Sequence, residues 1–60
     1  MNLPADDFIL LSLVNTKLRD NYVSLPELCD EENVSEEEIT NRLSALGYKY
    51  DEDKNAFIRF

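Results

Sequence analysis

Histidine and tryptophan are absent from this sequence, and glycine and cysteine occur once each. Without histidine the chain lacks the commonest general base and the commonest metal ligand. The single cysteine, Cys29, has no partner for an internal disulfide. A chain this short from an oxidising compartment usually carries several bridges, so one cysteine points to a reducing cytoplasm. Positive charge is scarce too: six lysines and arginines face thirteen acids, for a net charge of −7 and a pI of about 4.2. That balance disfavours the polyanions, nucleic acid and anionic membrane, as partners. The longest apolar run of the first helical segment is Phe8 to Leu11, and Met1 to Asp7 holds no basic stretch. Neither a membrane-spanning helix nor a signal peptide is expected.

What remains is 43% apolar and 32% charged, the composition of a small globular fold. Sixty residues allow one domain, 1–60, with one small core. Capping residues divide it. Asp6 suits an N-cap, and Leu10, Leu11, Val14 and Leu18, with Phe8 beside them, recur at helical spacing, which predicts a helix over about 7–20. Asn21-Tyr22-Val23 reads as a brief strand. Ser24-Leu25-Pro26-Glu27 has the form of a capping box, with Glu27 reaching back to the Ser24 amide, and opens a helix over 25–32 that buries Leu25, Leu28 and Cys29. Asn33 then stands where a left-handed residue is needed. A second capping box, Ser35-Glu36-Glu37-Glu38, opens a helix over 36–46 with Ile39, Leu43 and Leu46 on one face. Gly47 takes the C′ position, with Tyr48 placed to pack on Leu43. Tyr48 to Tyr50 and Ala56 to Phe60 read as a hairpin over about 48–60 around the polar loop Asp51 to Asn55.

The expected fold is therefore mainly α (α+β): a three-helix bundle with a C-terminal β-hairpin. Its order resembles a winged helix-turn-helix, with Cys29 as the small residue between the paired helices, Asn33 in place of the usual turn glycine and the hairpin as the wing. The runs Leu10 to Asp20, Ser24 to Cys29 and Leu46 to Asp51 resemble a family of small bacterial proteins known as domain of unknown function 4250. One departure from the family pattern is Asp7, where proline is common; both residues suit a first helical turn. The resemblance implies a bacterial, cytoplasmic, winged-helix-like protein and carries no activity, cofactor or site.

Three chemistries can be weighed on the residues. For a DNA reader the third helix would present Thr40, Asn41 and Ser44, with Lys49 and Lys54 on the wing. Seven acids and one base, Arg42, lie between Ser24 and Gly47, so phosphates would be repelled and direct nucleic-acid binding is disfavoured. Asp51-Glu52-Asp53-Lys54-Asn55 begins like a calcium loop, but its sixth position is Ala56 and the chain ends before a closing glutamate, so no metal site is assigned. The carboxylates lie in solvated runs and Cys29 falls on an apolar helix face, so no catalytic residue and no cofactor are assigned and the chain is read as no enzyme.

Two features exceed the needs of a fold. Asn15 falls inside the apolar arc of the first helix, which calls for a hydrogen bond to a turn or strand backbone or, alternatively, for a polar contact with a partner. Ile9 and Leu13 point away from the main stripe, and Ile58 and Phe60 put apolar groups on the second face of the last strand, itself a candidate unpaired edge. Those four residues are the candidate protein interface. The functional expectation is a cytoplasmic module acting through protein contacts, with a homodimer as one form. A DNA-binding regulator is the alternative.

Overall fold

The computed structural model describes residues 1–60. The element order is α1 (Asp7–Asp20), α2 (Leu25–Glu32), α3 (Glu36–Ala45), β1 (Tyr48–Asp51) and β2 (Ala56–Arg59). This is an α+β fold of three helices and a C-terminal antiparallel hairpin. Each helix start has a local cause. Asp6 accepts hydrogen bonds from the amides of Phe8 and Ile9 at 2.8 and 3.0 Å. The Ser24 and Ser35 hydroxyls accept from the amides three residues on, those of Glu27 and Glu38.

Neither serine forms the full reciprocal box. The Glu27 carboxylate receives the amide of Val23, one residue earlier than expected. Glu38 turns instead toward Arg42, 4.0 Å away. The left-handed positions are as read: Asn33 has φ 57° after α2, and Gly47 has φ 88° after α3. At Gly47 an added Cβ would meet nothing within 4 Å, so the backbone angle, not crowding, calls for glycine.

Nine buried apolar residues form the core: Leu10, Val14 and Leu18 of α1, Leu25, Leu28 and Cys29 of α2, Ile39 and Leu43 of α3, and Phe57 of β2. Tyr48 and Tyr50 pack against this cluster from the hairpin. The register pairs Tyr48 with Arg59, Lys49 with Ile58, Tyr50 with Phe57 and Asp51 with Ala56, which shortens the loop to Glu52–Asn55.

The expected strand at Asn21 to Val23 does not form. The amides of Asn21 and Tyr22 both return to the carbonyl of Lys17, and that of Val23 to Glu27, so no donor remains to meet a neighbouring strand. Val23 is 80% exposed.

Candidate protein-contact surface

The surface begins with how α1 is seated. One side is held to α2 by Lys17, whose Nζ lies 3.3 Å from Glu32 Oε2. The Tyr22 hydroxyl donates to the same carboxylate oxygen. That bond, aided by Lys17, holds the Glu32 carboxyl below its ordinary range, and the Tyr22 phenol is pushed up to about 12 by the same partner. A second side is held to α3 by Arg42, whose Nε lies 2.7 Å from Asp7 Oδ1 and whose Nη2 donates to the carbonyls of Pro4 and Ala5. These side chains tie α1 down and leave its outward face free.

The third side of α1 meets the hairpin through Asn15. Its Nδ2 donates to the Phe57 carbonyl at 3.1 Å, and its Oδ1 accepts from the Phe57 amide at 2.8 Å. The helix therefore pairs with β2 as another strand would. In an antiparallel ladder, residues alternate between facing the partner strand and facing outward. With Phe57 outward and Phe60 N–H donating to Gly47 O at 3.0 Å, Arg59 is the one residue of β2 whose outward backbone groups have no partner. The edge read as open from Ala56 to Phe60 is thus closed at its centre, and extending the sheet would require displacing Asn15.

The loop end of the hairpin is fixed just as firmly. Asn55, at φ 50°, donates to the carbonyls of Leu18 and Tyr22 at 3.0 and 2.8 Å. Its Oδ1 accepts from the Tyr50 hydroxyl at 2.6 Å, and that hydroxyl in turn accepts from the amide of Leu25 at 3.1 Å. Tyr50 thereby serves as an additional cap for α2. Nothing local in the sequence announces this network.

Of the four interface candidates, the structure brings Ile9 and Leu13 together and keeps Ile58 and Phe60 apart from them. Ile9 is 59% exposed, Leu13 is half-buried, and both line a shallow apolar depression with Phe8, Ser12 and Thr16. Phe8, expected beside the core stripe, is 62% exposed and belongs to this surface. At about 100° per residue it lies roughly 120° from the direction of Val14, at the centre of the buried arc, and that wheel angle is the signal that could have placed it. Ile58 is half-buried across from Lys49 on the outer hairpin face, and Phe60 is 67% exposed there, with the Lys49 ammonium 6.0 Å from its ring centre.

Thr40, Asn41 and Ser44 are exposed on α3, and helical geometry puts Glu37 between the directions of Ser44 and Asn41. Arg42, the only base of this segment, is turned away to Asp7. Lys49 and Lys54 sit on the hairpin, Lys49 on its outer face and Lys54 in the loop, where Lys54 shares a groove with α1. Cys29 is in the core, where burial pushes its thiol pKa up, the reverse of activation. No helix is long and apolar enough to cross a membrane.

No curated protein and no solved structure matches the chain. The family model described as Domain of unknown function (DUF4250) matches residues 4–57, from the turn that Arg42 holds to the buried Phe57, so the chain belongs to that family.

Proposed function

We propose that this chain is a winged-helix-like module of a bacterial cytoplasm, acting through protein contacts rather than as an enzyme, with the outward strip of α1 as its contact surface and a homodimer as its simplest assembly. The carrying observation is the exposure of Phe8 and Ile9, at 62% and 59%, on a helix anchored on its other sides. Large apolar side chains grouped with Leu13 on a rigid element gain by meeting a partner, at about 25 cal/mol per Å² removed from water. A net charge of −7 opposes self-association, and added salt screens that repulsion.

Sedimentation equilibrium tests the reading. The parent should dimerise with an affinity that tightens or holds as salt rises, and Leu13→Asp should be monomeric. A parent that stays monomeric at hundreds of micromolar would remove the homodimer and leave the strip to a different protein. The alternative, a DNA-binding regulator, is favoured by one observation: Lys49, Lys54 and Arg59 on the hairpin have no carboxylate within salt-bridge distance. Against it stands the α3 face, whose polar residues share their surface with glutamates. Fluorescence anisotropy with random-sequence duplexes should show no binding near physiological salt. Micromolar binding that falls steeply with salt would favour the regulator.

A further inference from the structure

Between α1 and the hairpin runs an open groove of about 810 Å³, whose eleven lining residues include Phe8, Ser12, Thr16, Arg19, Tyr48 and Lys54. In a chain with thirteen acids, none of the eleven is a carboxylate, and two are cations. The charges sit at a defined end. Asn55 fastens the hairpin loop to the carbonyls of Leu18 and Tyr22, which puts neighbouring Lys54 beside the C-terminal turn of α1 that carries Arg19. Phe8 marks the opposite end, and Tyr48 lies at the hairpin end remote from the loop.

We infer that this groove binds an extended acidic peptide segment of a partner protein, its carboxylates at Arg19 and Lys54 and an apolar or aromatic side chain between Phe8 and Tyr48. The inference rests on the reading of the chain as a protein-contact module but uses a surface next to the α1 strip. Phe8 and Arg19 are eleven residues apart on one helix, about 16 Å at 1.5 Å per residue. An extended chain at about 3.3 Å per residue covers that span with about five residues. The Ser12 and Thr16 hydroxyls, one turn apart along the wall, are placed to bond the backbone of such a segment. Lys54 has no carboxylate partner, although Glu52 and Asp53 precede it in the loop. Arg19 holds Asp20 at 2.9 Å, an exposed pair between adjacent residues that a ligand carboxylate can replace at little cost. The groove walls are already rigid, because Asn15 and Asn55 hold the hairpin in place, so little ordering opposes binding.

The test uses the full chain and fluorescein-labelled Phe-Leu-Ser-Ser-Asp-Glu, with the same peptide in reverse order and a form carrying Asn-Gln for Asp-Glu. In fluorescence anisotropy one of the two acidic probes should bind saturably, about tenfold more tightly than its amide form. Lys54→Glu should lose that preference and Lys54→Arg should keep it. Phe8→Ala should weaken binding of acidic and amide probes alike. Phe8, Ser12 and Thr16 border both surfaces, so binding is also measured in Leu13→Asp, which leaves the groove lining intact and should keep the preference for the acidic over the amide probe. No saturable binding by either acidic probe, equal binding of acidic and amide probes, or binding unchanged by Lys54→Glu would overturn the inference. So would capture of a short oligonucleotide in place of the peptides. If self-association through Leu13 holds while the peptides fail, only the groove assignment falls.

Discussion

Replacing Asn15 with alanine removes the only bonds made by the outward backbone groups of Phe57, and its cost can be worked out from the structure. Two hydrogen bonds are lost, at 2.8 and 3.1 Å, to a residue that is 3% exposed and 42 positions away in sequence. Each is worth about 1 kcal/mol net, and a backbone group left without a partner adds to that where water reaches it poorly. Alanine gains back about 0.5 kcal/mol as the better helix former. The net loss is about 2 kcal/mol. A chain of this length has a total stability of roughly 3–9 kcal/mol, so the loss is a large fraction of it. At about 8 °C per kcal/mol for a domain of this size, the Tm should fall by about 15 °C. Urea denaturation followed by far-UV circular dichroism measures the loss, with tyrosine fluorescence as a second probe. Amide exchange at Phe57 should quicken more than exchange within α1. A variant within about 0.5 kcal/mol of the parent would refute the claim that Asn15 holds the hairpin to the helix. Freed of Asn15, the β2 edge would also be open to sheet pairing, so the variant should associate more readily than the parent.

Asn33→Gly should be neutral or slightly stabilising, whereas Asn33→Val should cost about 1–2 kcal/mol, because φ 57° resists a β-branched side chain; chemical denaturation of both variants decides it. Glu32 is held below its ordinary range first by the Tyr22 hydroxyl and then by Lys17, so its stabilising effect is present above the ordinary carboxylate range and is lost as pH falls through the lowered value. Tyr22→Phe should therefore lower the urea midpoint near neutral pH and make its fall on the acid side shallower, read as urea midpoint against pH; an acid limb as deep as the parent's would contradict it. On the alkaline side the Tyr22 phenol, raised from 10.0 to about 12, stabilises fully below pH 10 and loses that contribution between pH 10 and about 12; phenolate absorbance should show a late-titrating component that Tyr22→Phe removes.

Where the helices start and where the chain turns are determined by the sequence alone, because each depends on atoms a few residues apart. Asp6, Ser24 and Ser35 accept amides two or three positions on, and Asn33 and Gly47 supply left-handed backbone at helix ends. The hairpin and the need of Asn15 for a backbone partner are legible for the same reason: alternation along a strand and angle around a helix are local periodicities. The mistaken strand at Tyr22-Val23 shows the limit, since β-prone side chains form no strand when their amides are already bonded to Lys17 and Glu27. Tertiary structure alone decided which carbonyl Asn15 meets, that Arg42 turns from the α3 face to Asp7, and that Asn55 and Tyr50 join the hairpin to two helices. It also decided that Arg19 and Lys54 share a groove free of acids. Those outcomes depend on pairs separated by 25 to 42 residues, or on which sides of α1 its neighbours cover. Such pairs meet only after the core of Leu10, Val14, Leu18, Leu28 and Ile39 has fixed the helices against one another, and no local periodicity carries that information.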